Sequence, residues 1–202
     1  MARPKIHWIR EPERIAAMSS PVRQAILDRI EALGPCSVAD LARSLDRPAD
    51  ALYYHVRQLL KVGMLVEAGS RSTARRDEAL FDFPHSRWHI AYDLDDPDNV
   101  AAVGKATAAL LRQAGRDFDD GLQHPKAVTR GLTRNLWSLR LEARLGRDQL
   151  RAINEHLQAI IDILRDARHA KRKRGSLLSL SWVLAPLAGP ARRRRSTPEE
   201  TE

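Results

Sequence analysis

Apolar side chains recur at helical spacing along residues 48–63. Leu52, Val56 and Leu59 form one stripe of this segment, and the positions at i, i+3, i+4, i+7 and i+11 form another stripe on the opposite side. The second stripe consists of Asp50, Tyr53, Tyr54, Arg57 and Lys61. The pattern predicts a helix that buries one face and presents aromatic and basic side chains to a binding partner.

Two shorter helices are predicted before it. Ser37 and Asp40 have the spacing of a capping box and precede an apolar stripe. An earlier helix is predicted to begin at residues 20–21, with serine as its cap and proline at its first position, and to end at residues 34–35. With a turn at residues 46–47, the last two helices have the spacing of a helix-turn-helix.

A β-hairpin is predicted directly after these helices. Residues 64–68 favour a strand and residues 80–83 its return, so the tip of the hairpin would span residues 69–79. Three arginines fall in that tip: Arg71, Arg75 and Arg76. The whole unit is then a winged helix-turn-helix, with these arginines placed to contact phosphates beside a DNA groove.

The C-terminal half alternates between helical and strand-like patterns. Residues 99–122 predict an alanine-rich helix, and residues 147–167 a second amphipathic helix. Apolar and polar residues alternate in residues 139–145 and again in residues 178–184, as is typical of half-buried strands. Pairing of these strands with each other, with the wing or across a dimer axis all stay open. The apolar face predicted for the first helix comprises Val100, Val103, Leu110, Leu111, Ala114, Phe118 and Leu122.

The predicted fold class is therefore mainly α, of the α+β kind. An N-terminal winged helix-turn-helix would span residues 1–84, and residues 85–188 would form a long helix and a small α+β domain for dimerisation or effector binding. Residues 189–202 predict a basic, disordered tail. Four aromatic side chains of the second domain could line an effector pocket or belong to its core: Trp88, Tyr92, Trp137 and Trp182.

Charge gives only secondary support for nucleic-acid binding. The 202-residue chain has a formal net charge of +8, yet residues 1–83 contain 13 Lys and Arg against 11 Asp and Glu. The excess is concentrated in residues 165–174 and 192–195. An arginine-rich tail could add attraction to DNA that is sensitive to salt and independent of sequence.

Several functional classes lack their motifs in this chain. A glycine-rich phosphate loop, a Gly-x-Ser-x-Gly turn and a His-Glu-x-x-His helix do not occur. We therefore expect no enzymatic activity and no cofactor. There is also no apolar run of membrane-spanning length and no apolar signal-peptide core near Met1. A cytoplasmic protein without membrane contact is expected.

Four segments in order resemble the ArsR-like superfamily of bacterial regulators: residues 11–15, 20–27, 37–42 and 54–66. The resemblance covers residues 11–83 and implies a dimeric bacterial DNA-binding transcriptional regulator, with repression as the default and the helix after the wing joining the dimer interface. Family members commonly have a small residue and histidine before Pro-x-Arg, where this chain has Ser19 and Ser20. The metal-sensing branch clusters cysteines, whereas this chain has only Cys36, so no thiolate metal site is expected.

Together, the patterns and the resemblance predict a homodimeric transcriptional regulator, by the family default a repressor, that binds double-stranded DNA at a pseudo-palindromic operator. A small-molecule effector stays open. Tyr53, Tyr54 and Arg57 are expected to contact base edges or the groove. Phosphate contacts are expected from Lys61, Arg71, Arg75 and Arg76. Two alternatives stay open: a winged-helix module for protein assembly that uses the same helix face, and a nonspecific DNA-binding protein driven by the tail.

Overall fold

The computed structural model describes residues 6–74, 77–85, 87–169 and 175–187. Its elements follow the order β1 (His7–Ile9), α1 (Pro12–Ala17), α2 (Pro21–Leu33), α3 (Val38–Leu45), α4 (Ala49–Lys61), β2 (Val66–Ser72), β3 (Asp77–Asp82), β4 (Trp88–Ile90), α5 (Pro97–Leu122) and α6 (Arg147–His169). This mixture of helices and small sheets, with a helix-turn-helix in its N-terminal part, confirms the predicted fold class.

Local capping chemistry sets the ends of the first helices. The Ser20 side chain accepts a hydrogen bond from the backbone N–H of Arg23 at the start of α2, and Pro21 occupies the first helical position. At α3, Ser37 and Asp40 form the predicted capping box: the Asp40 N–H donates to Ser37 Oγ at 3.2 Å, and the Ser37 N–H donates to Asp40 Oδ2 at 3.0 Å. The predicted starts of both helices are confirmed.

The helix α4 ends in a left-handed glycine. Gly63 has φ +69°, its N–H donates to the Leu60 carbonyl, and the Met64 N–H donates to the Leu59 carbonyl at 2.9 Å. This pair of bonds is the Schellman arrangement that satisfies the last carbonyls of a helix. It turns the chain sharply, so Met64 and Leu65 enter the core directly after the helix.

One hydrophobic core lies beneath α2, α3 and α4. Ile26, Ile30, Leu41, Leu52 and Leu59 are completely buried in it. Burying a side chain of this size contributes on the order of 2 kcal/mol. The core therefore holds the relative positions of the three helices of the helix-turn-helix.

The hairpin of β2 and β3 is longer than the sequence indicated. The antiparallel pairing runs from Val66 opposite Asp82 to Ser72 opposite Asp77, with an irregularity between Glu67 and Ser70 where Gly69 has φ +110°. The predicted tip at residues 69–79 is therefore wrong, because most of it is paired strand. Every residue of β2 is exposed, so no alternation of apolar and polar residues marked its true length.

A second, parallel pair of strands was not predicted. His7, Trp8 and Ile9 of β1 pair with Trp88, His89 and Ile90 of β4. The two strands are three residues long each, too short to produce a recognisable pattern. The pairing brings the chain before α1 beside the chain that follows the wing.

Asn99 fastens this junction to the start of α5. Its side chain is only 1% exposed; Nδ2 donates to the carbonyls of Arg10 and Ala91, and Oδ1 accepts from the N–H of Asp93. A buried amide with donors and acceptor all paired is stable, whereas an unpaired one costs about 1–3 kcal/mol. The single side chain therefore links three backbone segments.

The long helix α5 buries a different face from the one predicted. Asn99, Ala102, Ala106 and Ala109 are its buried residues, and the helix packs against α1 and α2. Val100, Leu111 and Leu122 are 45%, 52% and 56% exposed, so the predicted apolar face is wrong at these positions. Alanine lets the helix approach α1 closely, and this close approach outweighs the greater hydrophobicity of the larger side chains.

The two strands predicted in the C-terminal half do not form in the single chain. Residues 139–145 and 175–187 are exposed and belong to no strand, and the sheets of the described residues consist only of β1–β4 and β2–β3. The alternation of apolar residues is present, but no partner strand lies beside either segment. The expected helix does form as α6; it packs against α2, and Asp162 pairs with Arg87 at 2.9 Å.

The proposed division at residues 84 and 85 stays a prediction. Residues 88–90 and 97–122 lie after that point and pack on the N-terminal elements through β1 and α1. The predicted basic tail at 189–202 lies outside the described residues.

Candidate nucleic-acid interface

The outer face of α4 presents the aromatic and basic residues that its periodicity predicted. Tyr53 and Tyr54 are 37% and 62% exposed, and Arg57 and Lys61 are exposed as well. Leu52, Val56 and Leu59 fill the opposite face and are buried. Because the buried stripe fixes the rotation of the helix, the four side chains share one solvent-facing surface, which we call the α4 face.

The turn before α4 fixes the angle between the two helices. Asp46 follows α3 in the left-handed region with φ 49° and ψ 51°, a conformation that aspartate tolerates better than most residues. Pro48 caps α4, and the helix begins at Ala49. Asp50 then lies exposed in the first helical turn, where its negative charge stabilises the helix dipole.

Two further arginines lie close to α4. His55 is half-buried, and its pKa is lowered first by desolvation and then by the positive charges of Arg23 and Arg47. Arg23 is held in place because its Nε donates to the Ala17 carbonyl at 2.7 Å. Sequence reasoning missed both arginines as candidate contacts; the position of Arg47 in the helix-helix turn was the available signal. They add positive charge beside the α4 face.

His55 itself is kept neutral by this surrounding. Its Nδ1 is buried and has no hydrogen-bond partner among the described residues, and the ring meets Tyr54 edge-on at a centroid distance of 5.4 Å. A neutral imidazole adds no charge to a phosphate contact. The geometry therefore favours a packing role that orients Tyr54.

Arg71 has two carboxylate partners near the tip end of the paired wing strands. It lies within β2, and its Nη2 is 2.9 Å from Asp40 Oδ2 and 3.0 Å from Glu78 Oε2, with Ser37 Oγ at 3.3 Å. Arg43 pairs with the same Asp40 carboxylate. The network links the wing to the N-terminal end of α3. Arg71 would have to share or leave these partners in order to contact a phosphate.

This network lowers the pKa of Asp40. Partial burial alone would raise the pKa, but hydrogen bonds from Arg71 and Ser37 outweigh it and hold the pKa below its usual range. The Asp40 carboxylate is therefore charged at neutral pH and available as an acceptor for both the capping box and the wing. The other two arginines predicted for phosphate contact, Arg75 and Arg76, lie outside the described residues.

The aromatic residues proposed for an effector pocket do not form a shared core. Tyr92, Trp137 and Trp182 are 70%, 56% and 39% exposed. Trp88 is half-buried and packs on Phe83 at a centroid distance of 5.6 Å. Arg134 lies over the Trp137 ring at 3.7 Å, a cation–π contact at the surface.

The described residues contain no group of three or more His, Cys, Asp and Glu side chains close enough to hold a metal ion. Cys36 is 3% exposed, with its Sγ donating to the Gly34 carbonyl at 2.9 Å. Cys36 therefore packs as a small buried side chain at the entrance of α3. None of the described helices has the length and apolar character needed to cross a membrane.

Comparison with known families gives a match for the part of the chain that contains α2, α3 and α4. The family model described as a helix-turn-helix domain matches residues 18–68, which comprise α2, α3, α4 and the start of β2. This is about a quarter of the chain. A search of curated proteins found no significant match.

The chain thus carries a helix-turn-helix domain, the class of fold used in DNA-binding proteins that regulate transcription. Within it, α4 occupies the position of the second helix, which inserts into the major groove in this class. The α4 face is consequently the surface on which the candidate contacts lie together.

Proposed function

We propose that this protein is a sequence-specific transcriptional regulator of the ArsR-like kind that binds double-stranded DNA as a homodimer. The observation that carries the proposal is the α4 face, because Tyr53, Tyr54, Arg57 and Lys61 share the exposed side of the second helix. Arg57 is suited to a bidentate contact with a guanine edge, and Lys61 to a phosphate. Arg71, Arg75 and Arg76 of the wing would supply further phosphate contacts.

The exposed side of α5 supports the dimer. Val100, Leu111 and Leu122 follow one another at intervals of 11 residues, which is three helical turns and places them on one face. That face lies opposite the buried alanines of α5. A stripe of exposed large apolar residues along a long helix is suited to packing against the same helix of a second copy.

In this proposal, the protein represses transcription by binding a pseudo-palindromic operator. The bacterial origin proposed here follows the ArsR-like resemblance, and the cytoplasmic, non-enzymatic character is the one expected from the sequence motifs. Any small-molecule effector would act by changing the spacing of the two winged helices in the dimer.

Selection of bound duplexes from random DNA tests the proposal. The full-length protein is expected to enrich an inverted repeat, and Arg57→Ala is expected to lose the preference at one position of each half-site, because a bidentate base contact contributes about 1–3 kcal/mol of discrimination. The matched control is Arg112→Ala, which removes the same charge from an exposed position of α5. The control is expected to retain the wild-type preference.

A salt series on the selected duplex and on scrambled duplex completes the test. Equal affinity for both, with a steep dependence on salt, would favour the nonspecific alternative and overturn the proposal. Absence of duplex binding at low salt would favour the protein-assembly alternative, in which Tyr53, Tyr54 and Arg57 contact another protein.

A further inference from the structure

Large apolar side chains are exposed along the chain that surrounds α6. Before α6, Leu139, Leu141 and Leu145 are 68%, 79% and 41% exposed. The exposed residues after it are Leu177, Leu178, Leu180, Trp182, Val183, Leu184 and Leu187. Exposed large apolar side chains that are concentrated in two short segments, and not scattered singly, mark a binding surface.

Both segments have the pattern of a strand without a partner strand. In residues 139–145 the apolar positions alternate with Arg140, Glu142 and Arg144, and in residues 178–184 alternate positions are Leu178, Leu180, Trp182 and Leu184. Each segment is seven residues long, with apolar residues at the same alternate positions. Among the described residues, neither segment pairs with a strand. Their unpaired backbone N–H and C=O groups are open to strand addition.

The single chain contains both segments, residues 139–145 and 178–184, but they do not pair with each other. Pairing within one chain would use α6 as the crossover between parallel strands. In the structure, α6 packs on α2, and Asp162 is bound to Arg87 at 2.9 Å, with Gln158 donating to the same carboxylate. Because α6 packs on the helix-turn-helix, it does not lie over a pair formed by the two segments within one chain.

We propose that a second copy of this chain supplies the missing strand: residues 139–145 of one copy pair with residues 178–184 of the other. Since each copy carries both segments, a two-fold axis satisfies both pairs at once and forms a closed, self-complementary interface. The apolar sides of the paired segments face one another's α6 or the dimer core, while Arg140, Glu142 and Arg144 face solvent. The inference deepens the proposed homodimer and rests on it.

The buried area fits this occupant. Burial of one large aliphatic side chain removes roughly 60–120 Å² of apolar surface from water. About eight to ten such side chains per copy reach the ~800 Å² per partner of a stable interface. The eight exposed residues of the two segments are 39% to 79% exposed, so they supply a large part of this area, and Leu177, Leu187 and the paired backbone add to it.

Disulfide cross-linking between two differently tagged copies tests the pairing. One copy carries Glu142→Cys and the other Ser181→Cys; these are the central residues of the two segments, so they lie opposite each other in a parallel or an antiparallel in-register pair. Mild oxidation is expected to give a mixed disulfide dimer as the main product. Wild type should give none, because Cys36 is buried. The matched control, Arg112→Cys with Ser181→Cys, should stay at background.

Three results would overturn the inference. When Glu142→Cys and Ser181→Cys are combined in one chain, an intramolecular disulfide without a cross-linked dimer would place the pair within one chain. A dimer in sedimentation velocity that gives no cross-link would assign the dimer to another surface, such as the exposed face of α5, and leave the proposed regulator intact. A monomer at all concentrations would remove both the inference and the proposed homodimer.

Charge substitutions on the apolar positions give a second measurement. Leu141→Lys and Leu180→Lys are each expected to raise the dissociation constant of the dimer more than tenfold, because the lost apolar contact is repeated across the two-fold axis. Glu142→Lys on the polar side of the same segment should change it little. These side chains are exposed in the single chain, so the helix-turn-helix should remain folded. Equal dissociation constants for all three variants would contradict the pairing.

Discussion

At the scale of single residues, the carboxylate of Asp40 takes part in two separate structural contacts. It completes the capping box of α3 and accepts hydrogen bonds from Arg71 of the wing. The position of Arg71 could not be predicted from sequence, because the turn signals placed residues 69–79 in the tip of the hairpin, whereas residues 69–72 and 77–79 lie in the paired strands. Asp40 and Arg71 are separated by 31 residues, and only tertiary structure brings them together.

The stability contributed by Asp40 should depend on pH. Its pKa is lower in the folded protein than its usual value, so its contribution is fully present above the unfolded pKa of about 4 and is lost as pH falls through the folded pKa. Asp40→Asn is expected to lower the free energy of unfolding by about 1–2 kcal/mol at pH 7, from the weakened cap and ion pair. Urea unfolding at pH 7 and pH 3 measures this difference.

The difference between wild type and Asp40→Asn should shrink at pH 3, because this pH lies below the unfolded pKa of about 4 and the Asp40 carboxyl of the unfolded chain is then mostly protonated. Asp119→Asn, at an exposed position of α5, serves as the control and should follow wild type at both pH values. A constant difference between wild type and Asp40→Asn would show that the charge of Asp40 does not contribute.

At the scale of elements, the sequence predicted what local chemistry determines. The caps at Ser20 and Ser37 and the buried stripe of α4 were predicted because a few neighbouring residues suffice to define them. The parallel pair β1–β4 depends on contacts between distant segments, so its three-residue strands carried no signal. The α4 face was predicted for the same local reason as the helix; Arg23 and Arg47 beside it were not.

The buried face of α5 can be tested by a pair of equal substitutions. Ala106 is buried against the core and Ala101 is exposed on the same helix. Ala106→Leu should destabilise the protein by about 1–3 kcal/mol, because the added side chain overpacks the contact of α5 with the N-terminal helices. Ala101→Leu has the same helix propensity cost and should have little effect. Thermal unfolding of both variants gives the comparison. Similar melting temperatures would contradict the burial of Ala106 and the exposure of Ala101.

At the scale of the whole molecule, a two-fold dimer would carry two copies of the α4 face. Recognition helices in such a dimer contact successive major grooves about 34 Å apart. Once an inverted repeat has been selected, insertion of about half a helical turn of DNA between its halves should abolish tight binding, because one half-site then faces away from the protein. Insertion of a full turn should weaken binding less. Gel-shift titration distinguishes the two, and equal losses would indicate independent binding of single chains.

The strand pair β1–β4 also has a consequence for the order in which this protein can be made. Residues 18–68 emerge from the ribosome as a complete helix-turn-helix in sequence. Ile9 and Ile15 are synthesised early, but Ile90 and Ala102, which complete the same core, are synthesised later. At about 5–20 residues per second, this delay lasts roughly 4–19 s. In a nascent chain that pauses before α5, the helix α4 would therefore be present on an incomplete hydrophobic core. Isoleucine and leucine side chains exposed at this stage could be bound by a chaperone.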